Sequence, residues 1–383
     1  MSMVEYSEYR LGSLCNRFSS GKGIPADLIN ETGKYPVIGG NGLRGYTDTY
    51  NFDGECAVIG RQGAYCGNVQ FFSGKGYMTE HAVVTQPNSA NNAKYLTYKL
   101  NGLSLGRFSG QAAQPELSVT KLARLRIEMP PKWYQDKVAG ILYAYDNLIE
   151  VNNKRIKVLE QMAENLYKEW FVRFRFPGHE KADFENGIPK GWRRGRISEF
   201  YTTSSGGTPS RELDEYYVDG TIPWIKTGEL QDCLLIDTEE RITEVAVKKS
   251  SAKFFPKDSV LMAMYGVNIG MLAYSTMDAT CNQACCVFRD KGNISTKHYL
   301  FQCLKSIRDY LLLISFGAAQ QNLSQDLIKR VRIVMPDEET VIRFEQKIEP
   351  LYNEIKHLLK ANACLIRQRD LLLPRLMSGK LEV

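Results

Sequence analysis

Several polar side chains stand in turns flanked by glycines, where a side chain projects from the surface. Arg61 and Gln62 end the apolar stretch Cys56-Ala-Val-Ile-Gly-Arg-Gln-Gly63. An Arg side chain can form two hydrogen bonds with guanine, and an Asn or Gln side chain can do so with adenine. The residues predicted on this ground to bind DNA are Lys22, Arg44, Arg61, Gln62, Lys226, Thr227, Tyr265 and Asn268. For any one of them the alternative is a solvated loop residue or a phosphate contact, which positions the protein without specifying a base.

Two glutamines recur in a repeated segment. Gln114 lies in Gln111-Ala-Ala-Gln-Pro-Glu-Leu-Ser118, and Gln320 lies in Gly317-Ala-Ala-Gln-Gln-Asn-Leu-Ser324. The repetition has two interpretations, both of which stay open. The glutamines either read DNA or cap the helix that follows.

No motif of a cofactor-dependent or metal-dependent enzyme is present in the sequence. It contains no Gly-x4-Gly-Lys-Ser/Thr, no Gly-x-Gly-x-x-Gly after a strand and no His-Glu-x-x-His. Met129-Pro-Pro-Lys132 lacks the leading Asn or Asp and the aromatic residue found in amino-methyltransferases. We therefore predict no catalytic residue, no cofactor and no metal on this chain.

The nine cysteines indicate reduced thiols in a cytoplasmic protein, because their number is odd and their spacing is irregular. Cys281, Cys285 and Cys286 form one cluster, but their spacing is not that of a zinc knuckle. Small apolar residues of a buried strand are the favoured interpretation of this cluster over a zinc site.

A long helix, predicted from about Trp133 to Arg173, organises the elements that carry these residues. Its apolar positions advance by four and three residues in strict alternation, which is the heptad pattern of a coiled coil. The seam reads Val138, Leu142, Tyr145, Ile149, Asn152, Ile156, Leu159, Ala163, Leu166 and Trp170. A single polar residue in such a seam, here Asn152, commonly fixes the register of the pair.

The chain supplies its own partner for this helix. At an offset of 206 residues a second seam reads Phe344, Ile348, Leu351, Ile355, Leu358, Asn362, Leu365, Arg369, Leu372 and Leu376. The same offset relates Leu122-Ala-Arg-Leu-Arg-Ile-Glu-Met-Pro130 to Ile328-Lys-Arg-Val-Arg-Ile-Val-Met-Pro336. The chain is thus two copies of one unit, each a globular part followed by a long helix. Pro350 predicts a kink or a late start in the second helix.

Size and composition are those of a soluble globular protein. The chain has 383 residues, 43% of them hydrophobic and 24% charged, which gives room for two or three domains. The formal net charge of +6 permits a polyanionic partner but does not require one. The sequence shows no apolar run long enough to cross a bilayer and no signal peptide.

Several motifs in this order resemble the specificity subunit of type I restriction-modification systems. They are Gly206-Gly-Thr-Pro209, Ile222-Pro-Trp-Ile-Lys-Thr-Gly-Glu229, the two Ala-Ala-Gln…Leu-Ser segments, and Leu373-Pro-Arg-Leu-Met-Ser-Gly-Lys-Leu-Glu-Val383. The first copy departs from the pattern, since Ser20-Gly-Lys-Gly-Ile-Pro25 and Tyr35-Pro-Val-Ile-Gly-Gly40 stand in place of the first two motifs. The resemblance otherwise extends over essentially the whole chain.

The resemblance implies an α/β (α+β) fold with two target recognition domains, residues 1–130 and 179–336. They are separated by two long antiparallel coiled-coil helices, residues 131–178 and 337–383. Each domain would recognise one half of a split, asymmetric site on double-stranded DNA. The implied partners are methyltransferase subunits, two in number, and ATP-dependent restriction subunits. The sites for S-adenosylmethionine, ATP and magnesium would lie on those partners.

Large apolar residues outside the seam predict where the methyltransferase subunits dock, because exposed apolar stripes usually mark partner contacts. These residues are Leu148, Tyr167, Phe171 and Phe174. Two alternatives to the DNA-specificity function remain at this stage. One is a single-chain nuclease or methyltransferase with an unrecognised site, and the other is a coiled-coil scaffold that reads no DNA.

Overall fold

The computed structural model describes residues 4–110, 116–292, 294–316, 322–381 and 383. The chain divides into two compact units. The first combines Met1–Ile149 with Cys364–Val383, and the second is Glu150–Ala363.

The first unit is built on a six-stranded sheet. Its elements are β1 (Ser7–Arg10), β2 (Cys15–Ser20), β3 (Tyr35–Gly39), β4 (Gly42–Thr47), β5 (Phe52–Gly60), β6 (Val69–Met78), β7 (Ala82–Pro87), α1 (Ala93–Gly102), α2 (Val119–Ala123) and β8 (Arg126–Met129). The strand order is β2-β7-β5-β6-β3-β4, and β1 pairs separately with β8. All neighbours are antiparallel except β3 and β6.

The long helix α3 (Lys132–Tyr167) follows and continues into a π-helical turn, Lys168–Val172. These bounds confirm the predicted helix to within a few residues.

The second unit repeats the plan with additions. Its elements are β9 (Phe184–Glu185), β10 (Ile188–Pro189), β11 (Arg193–Arg196), α4 (Ile197–Phe200), β12 (Tyr201–Ser205), β13 (Ile222–Ile225), β14 (Cys233–Leu235), β15 (Arg241–Ile242), α5 (Glu244–Lys249), β16 (Val260–Ala263), β17 (Leu272–Ser275), β18 (Thr280–Cys281), β19 (Cys285–Asp290), α6 (Lys297–Ser306), α7 (Arg308–Phe316), α8 (Gln325–Arg330), β20 (Arg332–Met335) and α9 (Glu338–Met377).

Equivalent strands of the two units pair in the same way. The central sheet of the second unit has the order β12-β19-β16-β17-β14, which matches β2-β7-β5-β6 of the first unit over four strands. The β11–β20 pair likewise matches the β1–β8 pair. The duplication read from the sequence is therefore a duplication of fold. A three-stranded sheet, β15-β13-β18, occurs in the second unit only among the described residues.

Helix α9 begins at Glu338 and runs without interruption through Pro350. The alternative of a late helix start at Pro350 is therefore wrong. A proline removes one backbone donor from a helix, whereas the apolar seam continues on both sides of it. Packing of that seam outweighs the loss.

Both units confirm the heptad seam and pair the two helices antiparallel. In the first unit, the Tyr134 hydroxyl donates to the carbonyl of Leu376 at 2.9 Å, and Arg369 bonds to Asp146 at 2.6 Å. In the second unit, the amide of Asn152 donates to Asn362 at 2.8 Å. In each unit the residue numbers rise along one helix as they fall along the other. No helix of the described residues is long and apolar enough to cross a membrane.

Candidate nucleic-acid interface

The two units present one loop each in the same backbone geometry. The first loop, residues 61–68, joins β5 to β6, and the second loop, residues 264–271, joins β16 to β17. In the first loop, the N–H of Gly67 donates to the carbonyl of Gly60 at 2.8 Å. In the second, the N–H of Gly270 donates to the carbonyl of Ala263 at the same distance. Both loops are therefore closed by equivalent hydrogen bonds.

Positive backbone φ angles occur at the same places in both loops. Gly63 has a φ of +81° and its equivalent Gly266 has +87°, while Gly67 has +92° and Gly270 has +79°. Glycine adopts this left-handed region without the steric cost that other residues meet. The match sets Gln62 equivalent to Tyr265, Ala64 to Val267 and Tyr65 to Asn268. The scaffold is conserved between the two loops, while the side chains that it presents differ.

The segments with the repeated Leu-Ser motif fasten the start of each loop. The N–H of Leu117 donates to the carbonyl of Arg61 at 2.9 Å, and that of Leu323 donates to Met264 at 2.8 Å. Ser118 and Ser324 then cap helices α2 and α8. Serine, rather than glutamine, is the capping residue of the described part. Gln114 and Gln320 themselves lie outside the described residues.

In the first unit, backbone segments that carry the predicted cations meet at one end of the sheet. Glycines allow the approach, because a Cβ at Gly60 would lie 2.3 Å from the carbonyl oxygen of Gly40. The N–H of Lys22 donates to Met78 at 3.0 Å, and the N–H of Arg61 donates to His81 at 2.9 Å. The Arg44 side chain packs beside Gly39 in the same region. The side chains of Lys22, Arg44 and Gln62 are exposed.

The turn between β6 and β7 adds polar groups that the sequence did not single out. Thr79 Oγ1, Glu80 Oε2 and His81 Nδ1 are shielded from solvent and accept or donate no hydrogen bond within the described residues, and neither does Arg61 Nε. Buried polar groups usually find partners, so such a group suits a ligand or ordered water. Arg61 also bonds to Glu116 at 2.6 Å. It is a half-buried, paired cation rather than a free one.

In the second unit the structure brings the predicted residues Lys226, Thr227, Tyr265 and Asn268 together. The amide nitrogen of Asn268 lies 3.0 Å from the carbonyl oxygen of Thr227, to which it donates, and within 3.3 Å of two further carbonyls of the same turn, those of Gly228 and Leu230. It therefore ties the second loop to the turn after β13. Tyr265 stays exposed.

Lys226 is paired in the same way as Arg61. Its ammonium lies 2.8 Å from Glu240 and 3.1 Å from Glu239. The hydrogen bond with Glu240, followed by that with Glu239, raises the pKa of Lys226 above its ordinary value. The charge of Lys226 is thus compensated within the protein.

The second loop also presents an exposed apolar residue that the sequence did not single out. Val267 is fully exposed at the tip of the loop, between Gly266 and Asn268. The sequence signal was the apolar residue directly after a glycine in a turn, where polar residues are more usual.

The predicted docking residues divide into two groups. Leu148 is exposed, as expected, and Phe174 is half-buried against Phe184 and Trp192. The expectation that Tyr167 and Phe171 are exposed is wrong, since both are buried in the core of the second unit. The ring centroids of Phe171 lie 4.7 Å from Phe344 and 4.9 Å from Tyr299. The reason is that α6 and α9 both pack against this part of the chain, so that Tyr299 and Phe344 together cover the two rings.

Other apolar residues of α3 are exposed instead. Val158 is 60% exposed and Met162 is 50% exposed, and Val151 is exposed on the same face. Val158 follows Val151 by seven residues and Met162 follows Val158 by four, which keeps the three on one side of the helix. We call Val151, Val158 and Met162 the α3 stripe.

The cysteine cluster is buried. Cys281 lies in β18, and Cys285 and Cys286 lie in β19, all without exposure. Burial raises the pKa of the Cys286 thiol, which disfavours the thiolate that a metal requires. Within the described ranges, no group of three or more His, Cys, Asp or Glu side chains is arranged to hold a metal ion.

Comparison with known proteins assigns the family. Residues 3–161 and 189–360 match the model of the type I restriction modification DNA specificity domain. The chain belongs to this family. The two matched ranges correspond to the two copies of the repeated unit.

Named relatives agree with the assignment. The chain is 28% identical over 316 residues to the MjaIX specificity subunit of Methanocaldococcus jannaschii, which covers 78% of this chain and 71% of that protein. It is 37% identical over 166 residues to the EcoprrI specificity subunit of Escherichia coli, 42% of this chain and 41% of that protein. Specificity subunits are non-catalytic, and this chain is of that class.

A solved structure supports the same fold. The S subunit of a type I restriction-modification system from M. genitalium aligns over 97% of this chain and 96% of its own, with a TM-score of 0.69 and 15% identity. At that identity the likeness concerns the fold.

Proposed function

We propose that this chain recognises a bipartite, asymmetric DNA site and reads one half-site with each repeated unit. The target recognition domains are residues 1–130 and 179–336, and the helical spacers are residues 131–178 and 337–383. The observation that carries the proposal is the pair of loops with one backbone geometry and different side chains. Two loops that share a backbone geometry but present different side chains are suited to two half-sites of different sequence.

The exposed side chains of each domain divide by chemistry into two roles. Gln62 is suited to adenine, and Tyr265 and Val267 offer apolar surface to a thymine methyl group. Lys22 and Arg44 are suited to phosphate contacts, which set register and orientation. Thr227 lies beside the second loop and is a further candidate for a base contact. Gln114 and Gln320 remain predicted contacts.

Arg61, Lys226 and Asn268 would act mainly through other residues. The two cations are paired with carboxylates, and the Asn268 amide is engaged with backbone carbonyls. A cation in such a pair reaches DNA only when the phosphates or bases displace its carboxylate partner. We therefore assign these three residues to the positioning of the loops.

Methyltransferase subunits, two in number, would dock on the α3 stripe. The stripe is an apolar face without a partner among the described residues, and Arg155 and Glu354 border it with an ion pair of 2.8 Å. A helix of a partner can cover such a face, as it does in helical bundles. The restriction subunits would join the same complex, and the partners would supply the sites for S-adenosylmethionine, ATP and magnesium.

A domain exchange tests the division of the DNA site. Residues 1–130 would be replaced by the corresponding domain of another specificity subunit, and the complete system would be expressed in a host whose methylated sites are then sequenced. We expect one half-site to change and the other to stay. A reciprocal exchange of residues 179–336 is the matched control and should change only the other half-site. An exchange that alters both half-sites, or neither, would contradict the proposal.

A further inference from the structure

The end of the second loop is held by an ion pair that belongs to neither the loop nor the turn after β13. Arg308, at the start of α7, bonds through Nη2 to Asp232 and donates through Nε to the carbonyl of Gly270 at 2.9 Å. Asp232 in turn accepts the N–H of Leu272 at 3.1 Å and donates its own N–H to the carbonyl of Leu272 at 2.7 Å. The two residues thus bond to Gly270, near the end of the loop, and to Leu272, the first residue of β17.

The guanidinium group is well matched to this arrangement. Its Nε and Nη2 donors point in one direction from a rigid plane, so one side chain can bond a carbonyl and a carboxylate at once. The side chain of Arg308 is 17% exposed and that of Asp232 is 20% exposed, so solvent weakens their interaction less than on an open surface. A lysine offers a single ammonium and cannot reproduce both bonds in the same geometry.

The end of the first loop has no such ion pair within the described residues. A Cβ at Gly67 would lie 2.2 Å from the backbone nitrogen of Gly106, so the first loop packs directly on the backbone of the 3-10 turn Leu105–Phe108. At Gly270 the nearest groups to such a Cβ are the side chains of Arg308, at 3.3 Å, and Leu312, at 3.4 Å. Within the described residues, the first loop thus has an ion pair at its start, Arg61 with Glu116, whereas the second loop has one at its end.

We propose that Arg308 and Asp232 are positioning residues for recognition of the second half-site. The hydrogen bond from the Leu323 N–H to the Met264 carbonyl fixes the start of the loop, and Arg308 and Asp232 fix its end at Gly270. Between these points the loop presents Tyr265 and Val267. A loop held at both ends loses little further entropy on binding, so it discriminates sharply between base pairs. This inference rests on the proposed function, because it assumes that the second unit reads one half-site.

The test uses the complex of the full chain with its methyltransferase subunits. Initial methylation rates are measured on the cognate duplex and on duplexes that carry each single base-pair change in either half-site. For Arg308→Gln we expect discrimination at the second half-site to fall about tenfold, with first half-site discrimination unchanged. Arg308→Lys keeps the charge but cannot form the two hydrogen bonds at once. It should therefore resemble Arg308→Gln rather than the parent chain.

A matched variant separates positioning from general stability. Arg369 forms a similar pair with Asp146 in the first unit, at 2.6 Å, with side chains 27% and 32% exposed. Arg369→Gln should lower the midpoint of thermal unfolding as much as Arg308→Gln does, yet leave discrimination at both half-sites intact.

Two results would overturn the inference. One is an Arg308→Gln complex that is less stable but discriminates as the parent does, and the other is an equal loss of discrimination at both half-sites. Failure of the proposed function gives a different result. In that case the parent complex itself would tolerate any change in the second half-site.

Discussion

At the scale of single residues, two of the four charged side chains that were predicted to bind DNA, Arg61 and Lys226, already have ion-pair partners in the fold, whereas Lys22 and Arg44 are exposed. Arg61 is paired with Glu116, and Lys226 with Glu239 and Glu240. These carboxylates come from other segments of the chain, so no local sequence pattern could predict the ion pairs. The sequence correctly marked the turns that carry these residues, because glycine-flanked turns are a local signal.

Gln62 is the exposed residue of the first loop whose chemistry is the most specific. We expect Gln62→Ala to relax recognition of one base pair in the first half-site by about 1–3 kcal/mol, the loss for one pair of hydrogen bonds to a base. The measurement is the binding of the assembled complex to duplexes with single base-pair changes.

The equivalent change in the second loop, Tyr265→Ala, serves as the control for Gln62→Ala. It should affect the second half-site alone. If Gln62→Ala weakened binding to all duplexes equally, the side chain would contact phosphate rather than a base. If both variants relaxed the same half-site, the division of labour between the two units would be wrong.

At the scale of elements, the long helices were predictable to within about six residues at their ends, because a heptad pattern is local and is repeated many times. The burial of Tyr167 and Phe171 was not predictable. It depends on α6, which packs on α3 from more than a hundred positions further along the chain. Partner surfaces inferred from helix periodicity alone are therefore open to correction wherever a third element covers the helix.

The polar pair in the seam tests how register is set. Asn362 accepts a hydrogen bond from Asn152 at 2.8 Å and donates one to Asn153 at 2.8 Å. Asn362→Leu leaves the buried Asn152 amide without this partner, so we expect it to lower the free energy of unfolding by about 1–3 kcal/mol. The measurement is urea unfolding of the chain.

The double variant Asn152→Leu/Asn362→Leu provides the decisive comparison. Two apolar residues in place of a buried polar pair are often neutral or stabilising, so the double variant should recover most of the loss. Asn165→Leu, at an exposed position of α3, is the control and should change the free energy of unfolding little. If the double variant instead lost as much free energy of unfolding as the two single variants together, the two side chains would stabilise the seam by more than their hydrogen bond to each other.

The α3 stripe yields a second prediction at this scale. Val158→Glu places a charge in the proposed docking face and should abolish copurification of the methyltransferase subunits, because burying an unpaired carboxylate is costly. The thermal unfolding midpoint of the free chain should change little, since Val158 is 60% exposed. Val218→Glu, at a site 62% exposed in the second unit, is the matched control and should leave the complex intact. A stable complex with Val158→Glu would rule out this face as the docking site.

At the scale of the whole molecule, the constant offset between the two halves was the strongest signal in the sequence. It gave the duplication, the order of elements and the pairing of the helices. The additions that distinguish the second unit, such as the β15-β13-β18 sheet, lie where the two halves differ in sequence. Strand β13 carries the Ile222-Pro-Trp motif, and the segment in its place in the first copy, Tyr35-Pro-Val-Ile, differs in sequence, so the repeat could not predict this sheet.

The two long helices are also the segments that follow each reading unit in the chain, and we propose that their length sets the spacing between the half-sites. Removing residues 153–159 together with residues 355–361 deletes one heptad from each helix, preserves the phase of the seam and retains Asn152 and Asn362. One heptad is roughly 10 Å of helix, or about three base pairs of DNA. The preferred spacer should therefore shorten by about three base pairs, measured as methylation of duplexes with spacers of graded length.

The deletion also changes the rotation of the two half-sites about the duplex. Three base pairs correspond to roughly a quarter of a helical turn, so the shortened protein binds well only if DNA distortion or a flexible connection absorbs the twist. Insertion of one heptad at the same place is the matched control and should lengthen the preferred spacer by about the same amount. A shortened chain that folds and still methylates DNA of the original spacer at the parent rate would show that the length of the helices does not set the distance between the half-sites.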